Sequence, residues 1–159
     1  MTYPDPLYFG DNGEASATYR PAGTAPDLVH ANGTRVHYLS TGASTGGLFG
    51  LYHWVMGPVP SGPGPHFHRS LSESFYILSG SIRIYDGDDW IDTAPGDWIH
   101  VPPGGVHGFR NESGAPAEML IHFSPGAPRE GYFEGVAHLG EMSEEEKAEF
   151  FLRHDNYWV

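Results

Sequence analysis

The stretch PGPHFHRSLSESFYILSG, residues 63–80, separates His66 and His68 by one residue and places Glu73 five residues after the second histidine. Side chains two residues apart in an extended strand point to the same face, so one metal ion can reach both imidazoles. The Pro and Gly residues before them stiffen the loop and reduce the conformational entropy lost in holding that geometry. Glu73, at the start of the next predicted strand, can deliver a carboxylate oxygen to the same point. The stretch therefore predicts three ligands of a metal site.

A second stretch, GDWIHVPPGGVHGFRN at residues 96–111, adds a histidine in a similar setting. Its glycines and prolines predict a tight turn, and His107 lies on the strand that follows. The positions that define this stretch are Gly96, Pro102, Gly104, His107 and Asn111.

Together the two stretches resemble the motifs of the cupin superfamily. The first cupin motif is His-x-His, three or four residues, Glu, six residues and Gly, which corresponds here to His66, His68, Glu73 and Gly80. The second is Gly, five residues, Pro-x-Gly, two residues, His, three residues and Asn, and residues 96–111 match every defined position.

One position departs from the family pattern. The first motif usually has Gly six residues before the first histidine, where this chain has Pro60. Gly62 and Gly64 are the residues expected to make the turn instead. The short spacing between the two motifs is similar to that of compact single-domain bacterial cupins.

The resemblance implies an all-β fold, the cupin double-stranded β-helix, a jelly-roll-like barrel open at one end. It also implies that His66, His68, Glu73 and His107 bind one divalent metal inside that barrel. Three imidazoles and one carboxylate suit Fe, Mn, Ni, Cu, Co or Zn and do not choose among them. The same ligands argue against Ca and Mg, which prefer oxygen.

Turn signals outside the motifs agree with an all-β chain. Asn32-Gly33 and Asp86-Gly87 lie between alternating apolar runs and predict hairpins. We predict one cupin domain over residues 1–159, divided into three parts. These are an irregular arm at 1–27, a barrel at 28–125, and a C-terminal extension at 126–159 with a helix at 143–154.

That helix is predicted from a capping box, since Ser143 is followed three residues later by Glu146. The glutamates of its first turn also suit the positive end of the helix dipole.

Composition excludes several classes of protein and site. There is no cysteine, so disulfides and thiolate metal sites are excluded. The formal charge of −12, with only 8 Lys and Arg, argues against binding to nucleic acid or to an anionic membrane surface. The N-terminus lacks the basic and apolar pattern of a signal peptide, and we expect a cytoplasmic protein.

Strand alternation nominates residues that line a cavity around the metal. Phe75 and Ile77 share the face of Glu73, and Phe109 shares the face of His107. On their strand, Tyr52 and Trp54 share one face and the intervening residues share the other. The alternation does not decide which of those faces is inward, and Tyr52 and Trp54 are our candidates. Such an apolar, aromatic lining suits a flat aromatic or phenolic substrate.

Cupins include oxygenases, isomerases, decarboxylases and ligand sensors, so the fold alone does not fix the reaction. Our leading hypothesis is a quercetinase-like, metal-dependent dioxygenase acting with molecular oxygen on a flavonol-like or other phenolic or polyketide-like molecule. The resemblance gives Glu73 the catalytic role of accepting the substrate's proton. The alternatives are a non-oxidative isomerase or cyclase of secondary metabolism, and a non-catalytic binding protein. Small cupins commonly pair, so we also expect a homodimer.

Overall fold

The computed structural model describes all 159 residues, and short strands account for most of its regular structure. The strands are β1 (Leu28–Val29), β2 (Arg35–Ser40), β3 (Gly50–Met56), β4 (His66–Phe67), β5 (Ser72–Ser79), β6 (Arg83–Tyr85), β7 (Trp90–Asp92), β8 (Trp98–Val101), β9 (Gly108–Arg110), β10 (Ala117–Ser124) and β11 (Tyr157–Trp158). The helices are α1 (Arg129–Gly135), a 3₁₀ helix (Val136–Glu141) and α2 (Glu144–Arg153).

The strands form three antiparallel sheets. The largest has the order β1-β2-β3-β10-β5-β8, a second has the order β7-β6-β9, and β11 pairs with β4. Strand β10 shows why the largest sheet has one apolar face, because its buried residues alternate with half-buried ones at a period of two. Side chains from the two larger sheets, including Ile121 and Ile84, meet in one hydrophobic core.

Both predicted hairpins are confirmed. The Asn32-Gly33 turn joins β1 to β2, with Leu28 opposite Val36. The Asp86-Gly87 turn joins β6 to β7, with Tyr85 opposite Trp90.

Gly62 and the motif glycine Gly80 are both required by close backbone contacts. Gly62 has φ of +128°, and a Cβ there would lie 2.0 Å from the carbonyl oxygen of Phe109. Gly80 has φ of +72°, and a Cβ would lie 2.6 Å from the carbonyl oxygen of Pro116. Gly62 therefore meets the local need for glycine in the loop where Pro60 departs from the family pattern.

The C-terminal extension contains more structure than the one helix predicted at 143–154. That helix, α2, runs from Glu144 to Arg153, and the Ser143 and Glu146 capping box is formed in full. The prediction missed α1 and the 3₁₀ helix, because the Pro- and Gly-rich sequence around them is typical of a loop. Residues 1–27, by contrast, contain no helix or strand. Neither α1 nor α2 combines the length and apolar character needed to cross a membrane.

Candidate metal centre and cavity

The four predicted ligands converge. His66 lies on β4, His68 follows it, Glu73 lies on β5, and His107 precedes β9 and bridges to the backbone of His66. One ligand atom from each residue lies within 4.8 Å of every other, and all four side chains are buried. Two sequence segments far apart in the chain thus meet at one point because β4 and the residue before β9 are hydrogen-bonded neighbours.

Each of the three imidazoles is fixed by a backbone carbonyl. In each ring Nδ1 lies within hydrogen-bond distance of a carbonyl oxygen, which assigns the proton to Nδ1 and leaves Nε2 for a metal. The acceptors are Gly64 for His66 at 2.8 Å, Gly105 for His107 at 2.9 Å, and Asp155 for His68 at 2.6 Å.

The charges at the centre are strongly coupled. Glu73 Oε2 lies 3.0 Å from His68 Nε2 and 2.8 Å from His107 Nε2. Burial opposes ionisation of Glu73, but the two histidines outweigh burial and hold the pKa of its carboxyl well below the ordinary value. Burial also opposes charge on His107, and the neighbouring Glu73 carboxylate nevertheless raises its pKa. Desolvation lowers the pKa of His66 to about 4, so this imidazole is neutral near pH 7.

This arrangement fits a divalent transition metal. His68 and His107 are each flanked by two acceptors, a backbone carbonyl at Nδ1 and the Glu73 carboxylate at Nε2. Without a metal, both acceptors are satisfied only by a doubly protonated ring. A cation among the Nε2 atoms would supply the positive charge in place of that second proton. Three nitrogens and one oxygen match the donor preferences of such ions.

The C-terminal extension supports the centre without supplying a ligand. Besides the carbonyl that fixes His68, the Asp155 carboxylate accepts hydrogen bonds from the backbone N–H of Arg69 at 3.0 Å and of Ser70 at 2.8 Å. The Ser70 hydroxyl donates to the same carboxylate at 2.6 Å. Strand β11 completes the contact, since Trp158 pairs with His66 across the ladder. The end of the chain therefore fixes the loop between the first two ligands and the third.

A cavity of about 470 Å³ opens onto the centre, with His66 and Glu73 in its wall. Aromatic side chains from the barrel and from the C-terminal extension make up much of the remaining lining. They are Trp54, Phe109, Tyr132, Phe133, Phe151 and Trp158.

The structure separates the five predicted substrate residues into two groups. Trp54 and Phe109 line the cavity. Tyr52, Phe75 and Ile77 face inward but are fully buried in the core and do not line it. The reason is clearest for Tyr52, whose ring packs 5.0 Å from that of Phe133 and whose hydroxyl donates to Glu130. Both partners belong to α1, which takes up the space beside Tyr52.

Sequence reasoning missed the cavity residues that the extension supplies, together with several from the barrel. Arg129, Tyr132 and Phe133 line the cavity from α1, and Phe151 and Trp158 line it from α2 and β11. Tyr132 and Phe133 follow Arg129 by three and four positions, which is the spacing of residues on one face of a helix. This spacing was the sequence signal that could have predicted α1. The preceding Pro-Gly-Ala-Pro sequence obscured it.

Comparison with known proteins agrees with this geometry. Residues 52–123 match the family model described as "Cupin domain". Over 48 residues the chain is 38% identical to quercetin 2,3-dioxygenase of Bacillus subtilis (strain 168), a match that covers 30% of this chain and 14% of that protein. Over 119 residues it is 25% identical to the tetracenomycin polyketide synthase protein TcmJ of Streptomyces glaucescens, covering 72% of this chain and 76% of the relative.

Solved structures show the same fold. A predicted oxalate decarboxylase from Thermotoga maritima superposes with a TM-score of 0.61 at 18% identity, over 69% of this chain and 99% of that one. KdgF from Halomonas sp. superposes with a TM-score of 0.52 at 15% identity, over 59% of this chain and 80% of that one. The all-β, double-stranded β-helix fold expected from the sequence is thereby confirmed.

Proposed function

The chain carries a cupin domain at residues 52–123, and from this premise we propose that it is a metal-dependent dioxygenase cleaving a flavonol-like or other phenolic or polyketide-like molecule. The observation that carries the proposal is the junction of the four buried ligands with the aromatic cavity. The cavity volume of about 470 Å³ falls in the range of small-molecule sites. Its aromatic walls suit a flat substrate and exclude water around it.

His66, His68, Glu73 and His107 would hold the metal, whose Lewis acidity, when bound, lowers the pKa of a substrate hydroxyl. Glu73 is the ligand suited to receive the proton, because it is the one carboxylate among the four side chains and it lines the cavity. His66 lines the cavity as well, and its neutral ring presents no competing positive charge.

The similarity to quercetin 2,3-dioxygenase supports the choice of an oxygen-dependent reaction, although the chain spans only 14% of that relative. The longer match to TcmJ favours a second candidate, a non-oxidative reaction such as isomerisation or cyclisation of a polyketide-like molecule. Either reaction would use the same cavity. Tight binding without turnover would instead indicate a binding protein.

Oxygen uptake tests the proposal. The protein is loaded in turn with Fe, Mn, Ni, Cu, Co and Zn, and an oxygen electrode records uptake with quercetin and with simpler phenols. We expect oxygen uptake with at least one metal. In Glu73→Gln the rate of uptake should fall by about a hundredfold, because glutamine cannot take up the proton. Glu118→Gln, a control that alters a carboxylate bonded to His53 on the barrel surface, should retain full activity.

Metal content is measured in the same samples, so that loss of metal and loss of the proton acceptor are told apart. Turnover that persists without oxygen would favour the non-oxidative candidate. Absence of uptake with every metal would overturn the dioxygenase proposal.

The expected homodimer and cytoplasmic location stay predictions. Exposed apolar side chains on neighbouring strands, Tyr76 and Leu78 on β5 and Trp98 on β8, support the dimer because they offer a surface that a second copy can cover.

A further inference from the structure

Arg129 is a buried cation in the wall of the cavity. It begins α1, its exposed fraction is 4%, and it lines the cavity that opens onto His66 and Glu73. Removing a guanidinium from water is unfavourable unless hydrogen bonds and an opposite charge compensate. The contacts of Arg129 therefore indicate whether its charge is there for stability or for a ligand.

Those contacts leave the guanidinium incompletely satisfied. Nη1 donates to the carbonyl oxygen of His154 at 2.6 Å, and the buried Nε has no hydrogen-bond partner. The ion pairs of the structure that involve arginine belong to Arg20, Arg83 and Arg110, and none involves Arg129.

Aromatic rings surround the guanidinium where a carboxylate would be expected. Its carbon lies 4.4 Å from the ring centre of Tyr132, 5.1 Å from Phe123 and 5.7 Å from Phe133. Cation–π contacts compensate part of the desolvation cost and hold the side chain in place. They leave the donor capacity of Nε unused.

Glu73 is the acidic residue in the cavity wall, and its carboxylate already lies 3.0 Å from His68 Nε2 and 2.8 Å from His107 Nε2. With a divalent metal bound, three neutral imidazoles and one carboxylate leave one net positive charge at the centre. Arg129 adds a second positive charge to the same cavity. An anionic ligand would neutralise this charge, whereas a neutral ligand would leave it uncompensated.

We propose that Arg129 binds an anionic oxygen group of the substrate, a carboxylate or an ionised hydroxyl carried on an aromatic framework. This rests on the proposed function for the use of the cavity and narrows the substrate class to aromatic anions. A guanidinium suits this role because its fixed planar donors match paired oxygens and it keeps its charge at any physiological pH. Arg129 is then the residue that determines specificity, and the metal ligands carry the chemistry.

Binding without turnover tests the assignment. The protein is loaded with Zn²⁺, which is redox-inert, and titrated with 2-naphthoate and its neutral analogue 2-naphthamide. A second pair, 3-hydroxyflavone and flavone, tests an ionised hydroxyl in place of a carboxylate. We expect the wild-type protein to prefer the anionic member of at least one pair, and the pair that discriminates identifies the group.

In Arg129→Gln the affinity for that anion should fall by about tenfold or more, while the affinity for its neutral analogue changes by less than about twofold. Arg129→Lys keeps the charge without the planar donors, so its affinity for the anion should lie between those of the wild type and Arg129→Gln. This variant also provides a readout if Arg129→Gln does not fold. Arg153→Gln, a control that removes an exposed positive charge at the end of α2, should bind all four probes as the wild type does.

Equal affinity of the wild-type protein for both members of both pairs would overturn the assignment. An equal loss for anion and neutral analogue in the Arg129 variants would do the same and would assign Arg129 a purely structural role. Because no oxygen chemistry enters this experiment, its failure is distinguishable from failure of the dioxygenase proposal, which is read from oxygen uptake.

Discussion

The barrel segment at residues 62–111 and the C-terminal extension at residues 126–159 build the same site by different physical means. The barrel segment supplies all four candidate ligands and the glycines that let its strands approach. The extension supplies no ligand, but it contributes a backbone carbonyl, an aspartate that fixes a loop, aromatic walls and a buried cation. This division of roles means that substitutions in the extension can change which ligands fit the cavity without altering the four candidate metal ligands.

If that division is correct, the largest effect on metal binding should come from the barrel segment. In His107→Ala we expect metal content to fall by more than about tenfold, because one of four ligands is removed. The sheets should stay folded, since their ladder and core do not depend on the imidazole. Elemental analysis of the purified proteins measures the metal, and circular dichroism monitors the fold.

His100→Ala is the matched control for that variant. This histidine also lies on a strand, but its ring meets Ser74 on the sheet and takes no part in the metal centre. It should retain the metal content of the wild type. If His107→Ala retained it too, His107 would not be a ligand.

The extension should produce a smaller effect on the same measurement, through Asp155. Asp155→Ala removes the acceptor for Arg69 and Ser70, which holds the loop between His68 and Glu73. We expect metal affinity to fall by about tenfold, as for other groups that orient ligands, and the free energy of unfolding to fall by about 2 kcal/mol. Competition with a chelator and urea denaturation measure the two quantities.

Asp155→Asn is a milder change at the same position. Asparagine tolerates the left-handed φ of 54° found at this position better than alanine and keeps one acceptor oxygen. The decreases in metal affinity and in the free energy of unfolding should therefore both be smaller than in Asp155→Ala. Wild-type metal affinity in Asp155→Ala would show that the loop holds its shape without the Asp155 carboxylate.

The same two regions show why the sequence predicted part of the site. The convergence of His66, His68, Glu73 and His107 could be predicted because it involves side chains, whose spacing follows from strands and tight turns. No pattern of residue types predicts the hydrogen-bond acceptor of His68, because that acceptor is the backbone carbonyl of Asp155 and every residue has a carbonyl. Contacts made through the backbone leave no residue type for a motif to detect.

The cavity wall was predicted incompletely for a related reason. Alternation on β5 placed Phe75 on the inward face of Glu73, as observed, whereas on β3 it left open whether Tyr52 faces inward. In neither strand can it show which inward residues other elements cover. Helix α1 packs on Tyr52 and brings Phe133 into the wall instead. Periodicity reports the face of one strand, whereas a cavity depends on how separate elements pack together.

The smallest expected effect tests whether the extension is energetically separable from the metal centre. Ser143→Ala removes the N-cap of α2, where the serine hydroxyl accepts from the backbone N–H of Glu146 at 3.2 Å. We expect the free energy of unfolding to fall by about 1 kcal/mol and metal affinity to change by less than about twofold. Ser79→Ala, at the exposed end of β5, should leave both unchanged. Metal loss in Ser143→Ala as large as that in Asp155→Ala would mean that α2 and the ligands form one cooperative unit, because weakening the helix start would then disturb a centre it does not touch.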